Sequence, residues 1–246
     1  MDHDPKTIDS ILKNWTFDPN SVSVRLLELP QREIIQLRID LGLLQLEVTD
    51  RPDGWRPGGE PTYLQFLRQK AKQLGDEFAL TEDECSEIDR EFVQFYHRRV
   101  CWLQLKRFDA AISDADHTLE MMDFCKQHSP NDEWTISHEQ YRPFVLYHRI
   151  KAAALRCFET NAGAEPAIEI INLGLDQLRE VFAEFEVEEQ FDEDELVQRL
   201  TEFRETIRSE YSVGRTLQER LDDAIAAEQY ELAAEIRDQL TRRNTD

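Results

Sequence analysis

The side chains best suited to chemistry are a pair of histidines in matching surroundings, four scattered cysteines and one dense run of carboxylates. His97 and His148 each lie within a Tyr-His-Arg triplet, and two imidazoles can contribute to a metal site. A closed site takes four ligands, however, and nothing at helical spacing supplies the third and fourth, so both are expected to be structural. Cys85, Cys101, Cys125 and Cys157 form no Cys-x-x-Cys pair, which fits small reduced residues in a core rather than disulfides or a zinc knuckle. Glu184 to Glu195 holds eight carboxylates but lacks the spacing and the glycine of a calcium loop. Asp192-Glu193-Asp194-Glu195 reads instead as the cap and acidic first turn of a helix carrying Leu196, Leu200, Phe203 and Ile207. No glycine-rich phosphate loop, Gly-x-Ser-x-Gly or catalytic Cys/His arrangement is visible in the sequence, so no enzymatic activity, catalytic residue, metal or cofactor is expected.

Charge points the same way. The 246 residues include 51 acidic and 29 basic ones, a net charge of -22 that repels nucleic acid and anionic lipid. The densest cationic stretches, Arg98-Arg99 with Lys106-Arg107 and the tail Arg242-Arg243, are short and bordered by acids, so direct nucleic-acid binding is not expected. Hydrophobic residues at 40% and the tryptophans Trp15, Trp55, Trp102 and Trp134 are enough for a packed interior. No apolar run reaches the roughly 18 residues of a membrane span, and Met1-Asp2-His3-Asp4-Pro5 is acidic where a secretory signal is basic. A cytoplasmic location without membrane contact is the expectation.

The periodicity of the chain defines the elements that carry these side chains. Ile8, Ile11, Leu12 and Trp15 predict a short amphipathic helix from Lys6 to Trp15. Alternation then begins: Val22, Val24 and Leu26, a turn at Pro30-Gln31-Arg32, then Ile35, Leu37, Ile39 and Leu41, and after Gly42 the trio Leu44, Leu46 and Val48. This predicts an antiparallel β-meander with one apolar face and one polar face of Arg25, Gln36, Arg38, Asp40, Gln45 and Glu47, the polar face being solvated. Asp50 to Pro61, rich in proline and glycine, reads as a structured loop, and its Arg-Pro-Asp-Gly makes it the best place for a second site. Beyond Tyr63 the period is helical, with helices predicted at 63–74, 82–106, 108–127, 138–158, 165–185 and 193–211 and a final pair after Thr216.

Two of the helical pairs resemble each other. Tyr96-His97-Arg98 recurs as Tyr147-His148-Arg149, and Ala111-Ile112 to Leu119 recurs as Ala167-Ile168 to Leu175. Phe95, Trp102 and Ala111 give the first pair a resemblance to the tetratricopeptide family, which implies stacked helical hairpins. Arg99, Ala115 and Thr118 depart from that pattern, standing where the family has glycine, a large apolar residue and alanine; the second pair carries an insertion around Asn161 to Glu165.

At the C-terminal end, Thr216 can cap a helix with Glu219 in capping-box position and Leu217, Leu221, Ala224 and Ile225 on its apolar face. After Ala227-Glu228-Gln229 a second helix carries Tyr230, Ala233, Ala234, Ile236, Arg237 and Leu240, so an antiparallel hairpin is predicted. Leu217 to Leu240, and above all Glu228-Gln-Tyr-Glu-Leu-Ala-Ala-Glu-Ile-Arg-Asp238, strongly resembles the UVR motif of the bacterial excision-repair proteins UvrB and UvrC. The same motif occurs in Clp-type ATPases and in activators of protein arginine kinases, where it mediates contacts between proteins. The run Gln36 to Glu47 similarly resembles the N-terminal part of UVR-containing bacterial proteins.

A hairpin of this size buries too little surface to stand alone, so it needs a partner surface: its own helical body, a second copy, or another protein. Arg237 has no acid three or four residues away; it either reaches Asp223 or Glu228 across the hairpin or points into water. The expected fold is α+β, mostly α. It divides into an N-terminal helix, meander and loop (1–62), a tetratricopeptide-like helical domain (63–212) and a UVR-like hairpin (213–246). The expected function is a non-enzymatic adaptor that contacts another protein or a second copy through Leu217, Leu221, Ile225, Tyr230, Ala233, Ala234, Ile236, Arg237 and Leu240. The alternative is an accessory factor in nucleotide excision repair that binds UvrB- or UvrC-like proteins.

Overall fold

A computed structural model describes residues 7–243. Helix α1 (Asp9–Asn14) falls within the predicted N-terminal helix, whose expected start at Lys6 lies outside the described residues. Strands β1 (Ser23–Leu29), β2 (Arg32–Ile39) and β3 (Gly42–Glu47) then form an antiparallel meander in the order β1-β2-β3. Leu26 pairs with Ile35 and Ile35 with Leu46, which collects the apolar side chains on one face. Leu41 is not part of β2. With Ile39 pairing directly to Gly42, Asp40 and Leu41 form the turn, and Leu41 is 89% exposed.

The opposite face carries the predicted polar residues, but only its margins are solvated: Asp40 and Gln45 are exposed, whereas Gln36 and Arg38 at its centre are buried. Arg25 donates twice to Gln36 Oε1 (2.9 and 2.6 Å), and Gln36 Nε2 donates to Gln45 Oε1 (3.1 Å), a ladder across all three strands. The Trp15 ring lies 4.4 Å from the Arg25 guanidinium, and Arg38 donates to the Trp15 carbonyl (2.8 Å) with its side chain near Phe17. Gln36 and Arg38 are left 6% and 8% exposed. The segment after α1 folds over the ladder because the aromatic rings find cationic faces to stack on and Arg38 supplies donors to their backbone.

The loop after β3 is fastened to the helices by Arg51. Its side chain is fully buried, donating to Glu87 (3.1 Å) and Gln94 (3.2 Å) and stacking on Trp55 at 4.7 Å. Glu91, also fully buried, lies 3.6 Å from the Arg51 Nε and accepts the Tyr63 and Leu64 amides (2.8 and 3.2 Å). Those two N–H groups open α2 (Tyr63–Leu74), so the carboxylate satisfies donors with no intrahelical partner and faces the positive end of the helix dipole. His117 makes a further bond to Glu91 at 3.0 Å.

Helices α3 (Glu82–Gln104) and α4 (Phe108–His128) pack antiparallel. Arg98 bridges them to the sheet, pairing with Asp114 (2.8 Å) while donating to the carbonyls of Glu47 and Asp50. Arg99 donates to Thr118 Oγ1 (2.9 Å), so two residues that depart from the repeat pattern satisfy one another across the helix pair. Burial of Arg98 and Arg99 removes the densest cationic pair from the surface. Leu64, Leu67, Ile88, Met121 and Cys125 form the apolar core at the other end of these helices, and all four cysteines are buried free thiols.

The predicted helix 138–158 is α6 (Arg142–Glu159), which begins four residues later than expected, and α5 (Asp132–Glu139) ahead of it was not predicted. Asn131 caps α5 by accepting the Trp134 amide (2.9 Å), and Pro143 suits the first turn of a new helix, where no amide donor is needed. The chain divides into two compact units, the first ending at Val145 and the second beginning at Leu146.

In the second unit, α6 packs on α7 (Ala164–Glu184) at Gly174, so closely that a Cβ there would lie 2.4 Å from Ile150. A short 3-10 turn (Glu188–Glu193) and α8 (Glu195–Glu210) follow, with Asp194 capping α8 by accepting the amides of Leu196 and Val197. Of the run predicted as cap and first turn, Asp194 and Glu195 take those places, whereas Asp192 and Glu193 belong to the 3-10 turn before them. Among the described residues, no helix is long and apolar enough to cross a membrane.

Candidate protein-interaction site

The last two helices are α9 (Leu217–Ala226) and α10 (Tyr230–Arg243). Thr216 starts α9 with a complete capping box: its hydroxyl accepts the Glu219 amide (3.2 Å), and the Glu219 carboxylate accepts the Thr216 amide (2.7 Å). Between the helices Glu228 takes a left-handed φ of 56°, and the Gln229 amide returns to the Ala224 carbonyl (2.8 Å), which turns the chain within three residues.

The residues predicted for interaction separate into two groups. Ala233 and Ile236 are buried with Ala224, and Leu217, Leu221 and Leu240 pack against them. These form the seam between α9 and α10. Small alanines from both helices meet there, which lets the backbones approach closely. Ile225, Tyr230 and Arg237 lie outside the seam: Ile225 is 52% exposed, Tyr230 is 67% exposed, and Arg237 is open to solvent. Arg237 forms no ion pair among the described residues, and Asp223, one of its candidate partners, pairs with Arg215 instead. Of the two alternatives, it takes the one that points into water. Tyr230, the half-buried Ala234 and Arg237 follow i, i+4, i+7 spacing, so they share one face of α10.

Two features escape a reading of the sequence. Leu232 is an exposed leucine at the hairpin tip, and its alternation with Ala233 gives no sign that the seam leaves it outside. Glu219 does more than close the capping box: it accepts from Arg208 of α8 (2.5 Å) and from Asn172 of α7 (3.1 Å). Asn172 is in turn held by Arg204 (2.8 Å). Burial acts to raise the Glu219 carboxyl pKa, but hydrogen bonds from Thr216, Asn172 and Arg208 prevail and hold it below the usual value. Beside this joint, α7, α8 and α9 enclose an open groove of about 880 Å³ whose walls include Asp176, Arg204, Gln218 and Asp222.

Neither a curated protein nor a solved structure matches the chain. Residues 215–242 match the family model described as the UvrB/uvrC motif, and the α9–α10 hairpin with its alanine seam is therefore a UVR motif.

Proposed function

We propose that this protein is a non-enzymatic cytoplasmic adaptor that holds a partner protein through the exposed side of its UVR hairpin, with the helical pairs upstream as the supporting body. The observation that carries this reading is the division of the motif. Its seam is satisfied internally, yet Ile225, Tyr230 and Leu232 remain exposed around the turn, where three large apolar side chains contribute little to folding. An amphipathic helical surface of this kind recognises a groove or another helical pair. The aromatic ring and Arg237 are residue types that dominate binding energy at protein interfaces.

The test is capture of interacting proteins by the full chain, by a chain lacking residues 216–246, and by Tyr230→Asp. Retention of every captured partner by the deletion and by the substitution defeats the proposal. An accessory role in excision repair is a second reading, supported by the motif match. It predicts saturable binding to purified UvrB- or UvrC-like protein, and equal signals for the full and the shortened chain refute it. Light scattering on the isolated protein gives the other outcome, a second copy as the occupant.

A further inference from the structure

We propose that the UVR hairpin is a latched arm: it rests on α7 and α8 through a polar joint centred on Glu219, and it swings away about the link Tyr211–Arg215 when that joint is broken. The inference concerns regulation of the surface named above and depends on the interaction reading only for its purpose, since the movement is measurable without a partner.

Three observations converge. First, the buried and half-buried members of the hairpin cluster, Leu217, Leu221, Ala224, Ala233, Ile236 and Leu240, all belong to α9 and α10. The hairpin thus carries its own apolar seam through any displacement. Second, the side-chain bonds that tie α9 to the body are polar and converge on one carboxylate, with Arg208 at 2.5 Å and Asn172 at 3.1 Å from Glu219 Oε1. Arg208 also donates to the Gly214 carbonyl in the link. The Arg208 and Glu219 side chains are 20% and 18% exposed, so water and salt reach the pair. Beside the joint, a groove of about 880 Å³ with mixed walls, Asp176, Arg204 and Asp222 beside Phe191, Val197 and Leu240, separates the hairpin from α7 and α8 where close packing would hold it. Third, after the hydrogen-bonded end of α8, where the Tyr211 ring packs on Phe158 and the Val213 amide returns to the Arg208 carbonyl, the link narrows to Gly214, at which a Cβ would meet nothing within 4 Å, so Gly214 is the point about which the arm can turn.

Closely packed apolar surfaces resist separation in salt, whereas a partly exposed ion pair does not. The joint is therefore the part that gives way first, and Glu219 decides between the two positions. Its double role supplies a clean variant. Glutamine serves in a capping box as glutamate does, so Glu219→Gln keeps the start of α9 while removing the charge that holds Arg208.

The experiment measures the distance between spin labels on Gln177→Cys in α7 and Gln239→Cys in α10 in the full chain, both positions being exposed and the native cysteines buried. One short, narrow distance is expected at about 0.05 M salt and a broad, longer distribution at about 1 M salt, where screening reaches a few ångströms. Glu219→Gln is expected to lower the latched-to-released ratio about fivefold at low salt, with unchanged helicity by circular dichroism. The same narrow distance in all three samples overturns the proposal, as does a broad distribution in the unaltered chain at low salt. An arm that releases but captures no protein defeats the interaction reading and leaves the latch standing. A rigid arm that captures a partner does the reverse.

Discussion

Glu84 and Glu219 solve the same problem at two places in the chain. Each closes a capping box, with Thr81 and Thr216 respectively, and each also takes a cation from another helix, Lys70 at 2.5 Å and Arg208 at 2.5 Å. Burial acts to raise both carboxyl groups, yet the hydrogen bonds from Lys70 and Thr81, and from Thr216, Asn172 and Arg208, hold them below the ordinary 4.5. A carboxyl depressed on folding contributes stability that is present above its unfolded value and lost as the pH falls through its folded one. Thermal midpoints should therefore fall below about pH 4.5, and a Glu84→Gln, Glu219→Gln double variant should show a flatter decline there. Glu91 is more demanding, because it is fully buried between the Tyr63 and Leu64 amides, His117 and Arg51. Glu91→Ala leaves Arg51 with Glu87 and Asp53 but strips the buried Tyr63 and Leu64 amides of their acceptor, and is expected to cost about 3–5 kcal/mol in urea denaturation. Such pairings, forty residues apart in sequence, have no signature in local periodicity.

Among the elements, close packing at Gly174 sets a clear expectation. Alanine favours a helix interior by about 1 kcal/mol, but its methyl group at this position would lie 2.4 Å from Ile150, itself buried. Overpacking outweighs propensity here, and Gly174→Ala should destabilise the chain by about 1–3 kcal/mol by denaturant midpoint. The elements themselves were largely legible: alternation marked the three strands of the meander, and helical spacing marked α2, α3, α4 and α7. The Thr216 to Glu219 capping box was legible as well, because its chemistry is local. What periodicity missed was decided at longer range. Helix α5, capped by Asn131, was not anticipated, and the helix expected from residue 138 begins at Arg142. Trp15 and Arg38 covered the centre of a polar sheet face that alternation alone assigns to solvent. In the hairpin, Leu221 and Ile225 follow the same helical spacing, yet the position of α10 takes only Leu221 into the seam. Leu221→Asp should accordingly melt the hairpin and lower helicity. Ile225→Asp should change stability by no more than about 0.5 kcal/mol and act on binding alone.

For the molecule as a whole, charge and motif bear on the proposed partner. A net charge of -22 disfavours nucleic acid, and Arg98 and Arg99, the cationic pair that stands out in sequence, are engaged with Asp114 and Thr118 inside the first unit. Outward on the UVR hairpin, among exposed acids such as Glu228, Glu231 and Glu235, stand Ile225, Tyr230, Leu232 and Arg237. The most direct test of the central claim compares, by quantitative pull-down under matched conditions, the partners retained by the unaltered chain and by Ile225→Asp/Tyr230→Asp, after circular dichroism has shown equal helicity. The account predicts that the double variant loses at least one specific partner by tenfold or more, about 1.4 kcal/mol of binding free energy. An undiminished set of partners on an intact hairpin would contradict it.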